Sequence, residues 1–140
     1  LDYGCGKGYD ADKLYMEAYD PHFFPLPPKG KYDTLTCNYV LNVVEEDMTL
    51  DILTRIFKLL KKGGIAYFTV RRDVLVDGYT SKGTFQRNVV LPFEEIKNTS
   101  SYCIYRMTKD DFIEHYGDMG NVIIGKFKKK DPLRRGSRFT

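Results

Sequence analysis

Apolar residues fall in short blocks through the first half of the chain, and the spacing inside the blocks alternates between strand-like and helix-like. Residues 1–3 (Leu-Asp-Tyr) read as the end of a buried strand that runs into a glycine-rich turn. Residues 8–16 predict a short helix and residues 17–20 a short strand. Residues 21–30 carry Pro21, Pro25, Pro27 and Pro28, which makes this stretch a stiff, extended loop. Residues 32–44 predict a buried strand followed by a turn. From 47 to 61, Leu50, Leu53, Ile56, Phe57 and Leu60 recur at helical spacing, and Gly63-Gly64 reads as the stop of that helix. Residues 65–70 predict another buried strand. Strand and helix in alternation are the mark of a parallel, doubly wound sheet.

The second half changes style. Residues 84–91 and 102–107 alternate polar and apolar, with a polar turn around 98–101, and predict an antiparallel pair added to the sheet edge. Residues 109–116 predict a short helix capped by Thr108, and residues 122–127 a last strand. The expected fold is α/β: a truncated, Rossmann-like, mainly parallel sheet with helices on its faces and a C-terminal antiparallel addition. A chain of 140 residues allows one domain with one core.

The chemistry concentrates in the first turn. Asp2, Gly4, Gly6 and Gly8 form D-x-G-x-G-x-G directly after a strand and before a helix. Glycines at those positions permit positive φ angles and let the backbone, here including Cys5, approach a ligand closely. Dinucleotide-binding turns read G-x-G-x-x-G because a pyrophosphate rests on the helix N-terminus. Here Tyr9 stands where that pattern needs its last glycine, so a nicotinamide-dependent oxidoreductase is disfavoured. The spacing suits S-adenosylmethionine (SAM), which has no phosphate. Asp2 is suited to the cationic amino acid end of SAM. Asp20 ends the second strand and can accept hydrogen bonds from both ribose hydroxyls, with Pro21 following it.

These segments together resemble the class I SAM-dependent methyltransferases. LDYGCGKG resembles their first motif, YDPHF the ribose-binding motif, KYDTLTCNYVLNVV the fourth-strand motif beside the methionine part of SAM, and LLKKGGIAYFTV the helix, turn and fifth strand that follow. The likeness covers roughly residues 1–73 and implies SAM as cofactor, with Asp2, Gly4, Cys5, Gly6, Gly8, Asp20, Pro21, Asn38 and Tyr39 around it. More narrowly, YDPHFFPLPP, CNYVLNVV, VRRDV and GTFQRNVVLP resemble a bacterial and phage group of small methyltransferase-like proteins, some of which accompany DNA phosphorothioation systems. Two departures stand out. The stretch from Asp20 to Tyr32 is too short for the usual second helix, third strand and following helix, so one edge of the sheet should be missing. The chain also opens at Leu1 without Met, which suggests that the native protein begins earlier.

The acceptor is less legible. Asn42 follows the fourth-strand motif, and Arg71, Arg72 and Asp73 end the next strand; both places lie at the carboxyl edge of a parallel sheet, where ligands bind. Arginines there would clamp a phosphate or carboxylate, whereas the bland reading pairs them with Asp73 or with Glu45 and Glu46. Asn38-Tyr39-Val40-Leu41 lacks the two prolines that amino-methylating DNA enzymes carry at this point. Cys37 follows Thr36 rather than a proline, so it is not a cytosine-C5 nucleophile but a small buried hydrophobe. No residue declares itself as a catalytic base; His22 and Asp73 are the candidates. An alternative to catalysis is a regulatory or scaffold module built on the same fold within a larger modification system.

Composition adds limits. The net charge of +3 is uneven: residues 126–138 hold seven basic residues and one acid, which leaves the rest at about −3. The chain therefore divides into a core, residues 1–125, and a basic tail, residues 126–140, and any attraction for nucleic acid belongs to that tail. Cys5, Cys37 and Cys103 form neither a disulfide framework nor a metal knuckle, which suits a cytoplasmic protein without a structural metal. No apolar run reaches the about 20 residues that cross a bilayer.

Overall fold

In the computed structural model, residues 1–79 and 83–117 are described. The expected strand at 122–127 and the basic tail lie outside those residues. A six-stranded sheet organises the chain in the order β2-β1-β3-β4-β8-β7, where β1 is Asp2–Tyr3, β2 Ala18–Tyr19, β3 Tyr32–Asn38, β4 Leu60–Arg71, β7 Glu94–Asn98 and β8 Tyr102–Thr108. β1 to β4 run parallel, and β8 and β7 are added antiparallel beyond β4. This is the expected α/β architecture. The short connection after Asp20 leaves β2 at the rim of the sheet.

Three helices pack around it: α1 (Tyr9–Lys13), α2 (Thr49–Leu59) and α3 (Lys109–Tyr116). On α2 the apolar stripe buries Ile52, Leu53 and Ile56, while Leu50 and Phe57 pack at its margin. α3 has the capping box that its sequence announces: Thr108 Oγ1 accepts from Asp111 N at 3.0 Å, and Thr108 N donates to Asp111 Oδ2 at 2.9 Å. Phe112, fully buried, stacks on Phe57 with ring centroids 4.6 Å apart and so fastens α3 to α2. Between the strands the core alternates as a pleated sheet must. Leu35 and Cys37 of β3, Ala66, Phe68 and Val70 of β4, and Cys103, Tyr105 and Met107 of β8 face one buried layer.

Two expectations change. Gly63-Gly64 is not the stop of the helix: α2 ends at Leu59, and Leu60 already pairs with Tyr32 in the sheet. The glycines serve an irregularity in the β3–β4 ladder between Tyr32 and Thr34. A side chain on Gly64 would meet the Tyr32 carbonyl oxygen at 2.7 Å, so close passage of two backbones explains this residue. Likewise the antiparallel partner of β8 is β7, not residues 84–91. Of the latter, only β6 (Phe85–Gln86) is extended, and it pairs with β5 (Gly78–Tyr79) as a separate hairpin. Every residue of β7 is exposed, so it carried no alternation to read.

Candidate functional site

The parallel strands deliver the candidate residues to one edge. The turn after β1 holds Gly4, Gly6 and Gly8, all at positive φ (80°, 57° and 82°), the conformation that glycine alone adopts without strain. Gly4 also has no room for a side chain, because a Cβ would come within 2.5 Å of Val40 Cγ2. That contact presses the segment after β3 against the glycine turn. Gly4 N and Cys5 N both donate to the Tyr19 carbonyl, at 2.8 and 2.9 Å, which ties the turn to the end of β2.

Asp20 completes this junction. It is fully buried, and its carboxylate accepts three backbone N–H groups: Gly6 at 3.0 Å on Oδ2, and His22 and Phe23 at 2.8 and 3.2 Å on Oδ1. A carboxylate has about four acceptor positions, so Asp20 retains capacity for one further donor. Backbone bonds between Asp20 and Phe24 fold the loop from Pro21 back over the turn, and the Phe24 ring occupies the space above Gly8. His22 packs edge-on against Phe23 at 4.7 Å.

Asp2 lies below the turn, 4% exposed, with Oδ1 accepting from Thr36 Oγ1 at 3.0 Å. Burial raises its pKa above the ordinary 3.8, the Thr36 hydrogen bond opposes that, and the charge of Asp10 adds to it. The buried carboxylate thus lies in a place that favours a cationic partner. Cys5 is no nucleophile in this setting: burial first, then Asp2 and Asp20, push its thiol up to about 12. The buried Cys37 thiol is also raised, mainly by burial.

Beyond β3, Asn38 Oδ1 accepts from Thr69 Oγ1 at 2.8 Å, and Tyr39 N donates to the Thr69 carbonyl at 2.7 Å. Tyr39 sits at φ +57° with its side chain exposed, a strained conformation for a residue with a Cβ. Asn42 is buried; its Nδ2 donates to Gln86 Oε1 at 3.1 Å, and its backbone carbonyl accepts from Arg87 N at 3.0 Å.

Arg71 and Arg72 do not converge, because adjacent strand residues point to opposite faces. Arg71 Nε donates to Asp73 Oδ1 at 2.9 Å beside the site. Arg72 turns to the antiparallel side and bonds Glu95 Oε1 at 3.0 Å and Tyr105 Oη at 2.6 Å. A two-arginine clamp is therefore not assembled in this arrangement.

Sequence reading missed Thr36, Thr69, Val40, Phe24 and Gln86 as parts of this edge. Register would have found Thr69, which lies directly opposite Asn38 in the β3–β4 ladder, but only a residue pairing supplies register. Among the described residues no three of His, Cys, Asp and Glu gather as metal ligands, and no helix is long and apolar enough to cross a membrane.

Comparison with known proteins agrees with this geometry. A DhpI–SAH complex superposes with a TM-score of 0.52 at 14% identity, over 76% of this chain and 74% of that one. The SAM-bound magnesium protoporphyrin IX methyltransferase ChlM from Synechocystis PCC 6803 aligns at 13% identity and a TM-score of 0.41, over 75% and 66% of the two chains. No curated protein matches the sequence. The family described as "Methyltransferase domain" matches residues 1–97, more than half of the chain. With its strand-end acids, its glycine turn and its parallel sheet, the chain belongs to the methyltransferase domain family.

Proposed function

We propose that this chain binds SAM at the carboxyl edge of β1, β2 and β3 and transfers its methyl group to an acceptor. The observation that carries this reading is the junction of the three-glycine turn with Asp20, made through Gly6 N at 3.0 Å and set beside the buried carboxylate of Asp2. Bound there, SAM supplies an electrophilic methyl on a sulfonium sulfur. Asp2 offers a counter-charge to the ammonium of its amino acid end. The remaining acceptor position of Asp20 suits one ribose hydroxyl, next to the Gly6 N–H that it already holds. Gly4, Cys5, Gly6 and Gly8 line the approach with backbone, and Pro21 begins the loop that closes over it. Asn38 and Tyr39 stand beside the methionine part, where Thr69 holds both of them in place. Alignment of acceptor and sulfonium supplies most of the rate in such a transfer, and these residues bind and orient rather than bond covalently.

Thermal unfolding of the full chain with SAM, S-adenosylhomocysteine and NAD in separate samples tests the reading. At about 100 times its dissociation constant a ligand adds about 2.7 kcal/mol, which moves the midpoint of a domain of this size by several degrees. SAM and its product should raise the midpoint and NAD should leave it in place. Equal midpoints in all samples would refute the assignment.

A further inference from the structure

Asn42 carries an acceptor atom that the fold itself does not use. The side chain is 1% exposed, its Nδ2 is held by Gln86 of β6, and Oδ1 of the same carboxamide meets no donor. A buried, unpaired carbonyl costs roughly 1–3 kcal/mol, and native proteins seldom keep one without a use for it. Its surroundings have a definite sign. Arg87, the neighbour of Gln86, is buried beside Asn42; its Nε donates to the Val44 carbonyl at 2.8 Å and its Nη2 to Thr49 Oγ1. Burial lowers the pKa of that guanidinium, while Glu46, Asp77 and Asp47, close enough to act on it, raise it. Glu45 joins them by accepting from Tyr79 Oη at 3.3 Å. Four exposed carboxylates thus gather round one buried cation, so the rim of this place is negative, and its floor holds an acceptor that lacks a donor.

We infer that the methyl acceptor is an amine, bound with an N–H on Asn42 Oδ1 and its positive charge facing Glu45, Glu46, Asp47 and Asp77. The inference rests on the methyl-transfer reading and narrows it. A phosphate or carboxylate acceptor would meet four like charges here, and nucleic acid would be repelled for the same reason. Gln86, half-exposed and bonded to the other end of the Asn42 carboxamide, turns aside to admit the ligand. An ammonium group first gives one proton to a rim carboxylate or to water. Its lone pair then attacks the sulfonium methyl: the N–C bond forms while the S–C bond breaks, and sulfur keeps the bonding pair. The products are the methylated ammonium and neutral S-adenosylhomocysteine.

The test is a titration of the full ¹⁵N-labelled chain, in the presence of S-adenosylhomocysteine, with benzylamine, spermidine and a lysine-containing peptide. Benzoate and a single-stranded oligonucleotide serve as opposed probes. The side-chain NH₂ signal of Asn42 should move with one or more amines and stay in place with the anions; free amine and peptide lysine are told apart by which of them binds. Asn42→Leu and the double variant Glu46→Gln/Asp47→Asn should each weaken amine binding at least tenfold. The wild-type signal decides the matter should Asn42→Leu not fold. Binding of the anions at this signal, amines that leave it unmoved, or variants that bind amine like the wild type would each overturn the inference. Thermal shifts with SAM report on the methyl-transfer reading separately, so failure of either is recognisable.

Discussion

Asp20 shows how a single side chain can serve folding and binding at once. Its carboxylate joins the glycine turn to the loop after β2 through three backbone N–H groups, all shielded from water. Replacing it by Ala strands those donors, at roughly 1–3 kcal/mol each before relaxation. Asp20→Ala should therefore lose about 3 kcal/mol of stability in urea unfolding, with weaker SAM binding as a second effect. Asp20→Asn, which keeps two acceptor positions on Oδ1, should fall between the two. If Asp20→Ala unfolds at the wild-type midpoint, the junction at Gly6 is not what holds the loop.

Asp2 makes the opposite case. Its pKa lies above the unfolded value of 3.8, chiefly through burial, so the folded chain binds its proton more tightly than the unfolded chain does. The contribution of this group is then most favourable below pH 3.8 and is lost as pH rises through the folded pKa. Asp2→Asn keeps an oxygen for Thr36 and removes the buried charge. Without SAM the variant should be more stable than wild type at pH 7, and that advantage should vanish at pH 3. Its SAM affinity should be lower, because the ammonium of the cofactor loses its counter-charge. Urea midpoints at the two pH values, with and without SAM, check all three outcomes.

At the scale of elements, the sequence showed what each segment is more plainly than which segment it meets. Periodicity placed α2 and β4, and Thr108 announced the start of α3. Residues 84–91 were misassigned because Val89 and Leu91 do alternate and are buried, yet the backbone of this stretch bonds elsewhere: Asn88 ties back to Val74 through its side chain, and Arg87 to Asn42. β7 was missed for the converse reason, since its pairing with β8 is a matter of backbone alone. The contact that orders α3 is aromatic. Phe112 lies between Phe57 and Tyr116, at 4.6 and 4.9 Å between centroids, with no exposed surface. Phe112→Ala should lose about 3–5 kcal/mol, read as a lower urea midpoint. A loss below 1 kcal/mol would mean that α3 is not part of the cooperative core.

For the molecule as a whole, a short glycine motif and one strand-end acid sufficed to find the cofactor edge, because those residues are adjacent in sequence to the strands that position them. The acceptor side was opaque for a physical reason. It is assembled from residues 42–49 and 77–87, which the fold brings together across a long excursion, and its polarity became apparent only when Arg72 proved to face away from it. The basic residues that colour the composition fall in the tail, away from the residues that surround Asn42.

The shortened sheet also bears on how separate copies of this chain behave at high concentration. An open sheet has two rims of unpaired backbone, each a template on which another chain can add a strand. On one side the rim is β2, two residues long, after which the chain folds back on itself from Asp20 to Phe24. On the other it is β7, exposed throughout, with Glu94, Glu95 and Lys97 along it and an irregular register between Glu95 and Lys97. Brevity guards the first rim; charge and distortion guard the second. A methyltransferase fold can thus give up strands beside its cofactor edge without exchanging solubility for fibre-like stacking.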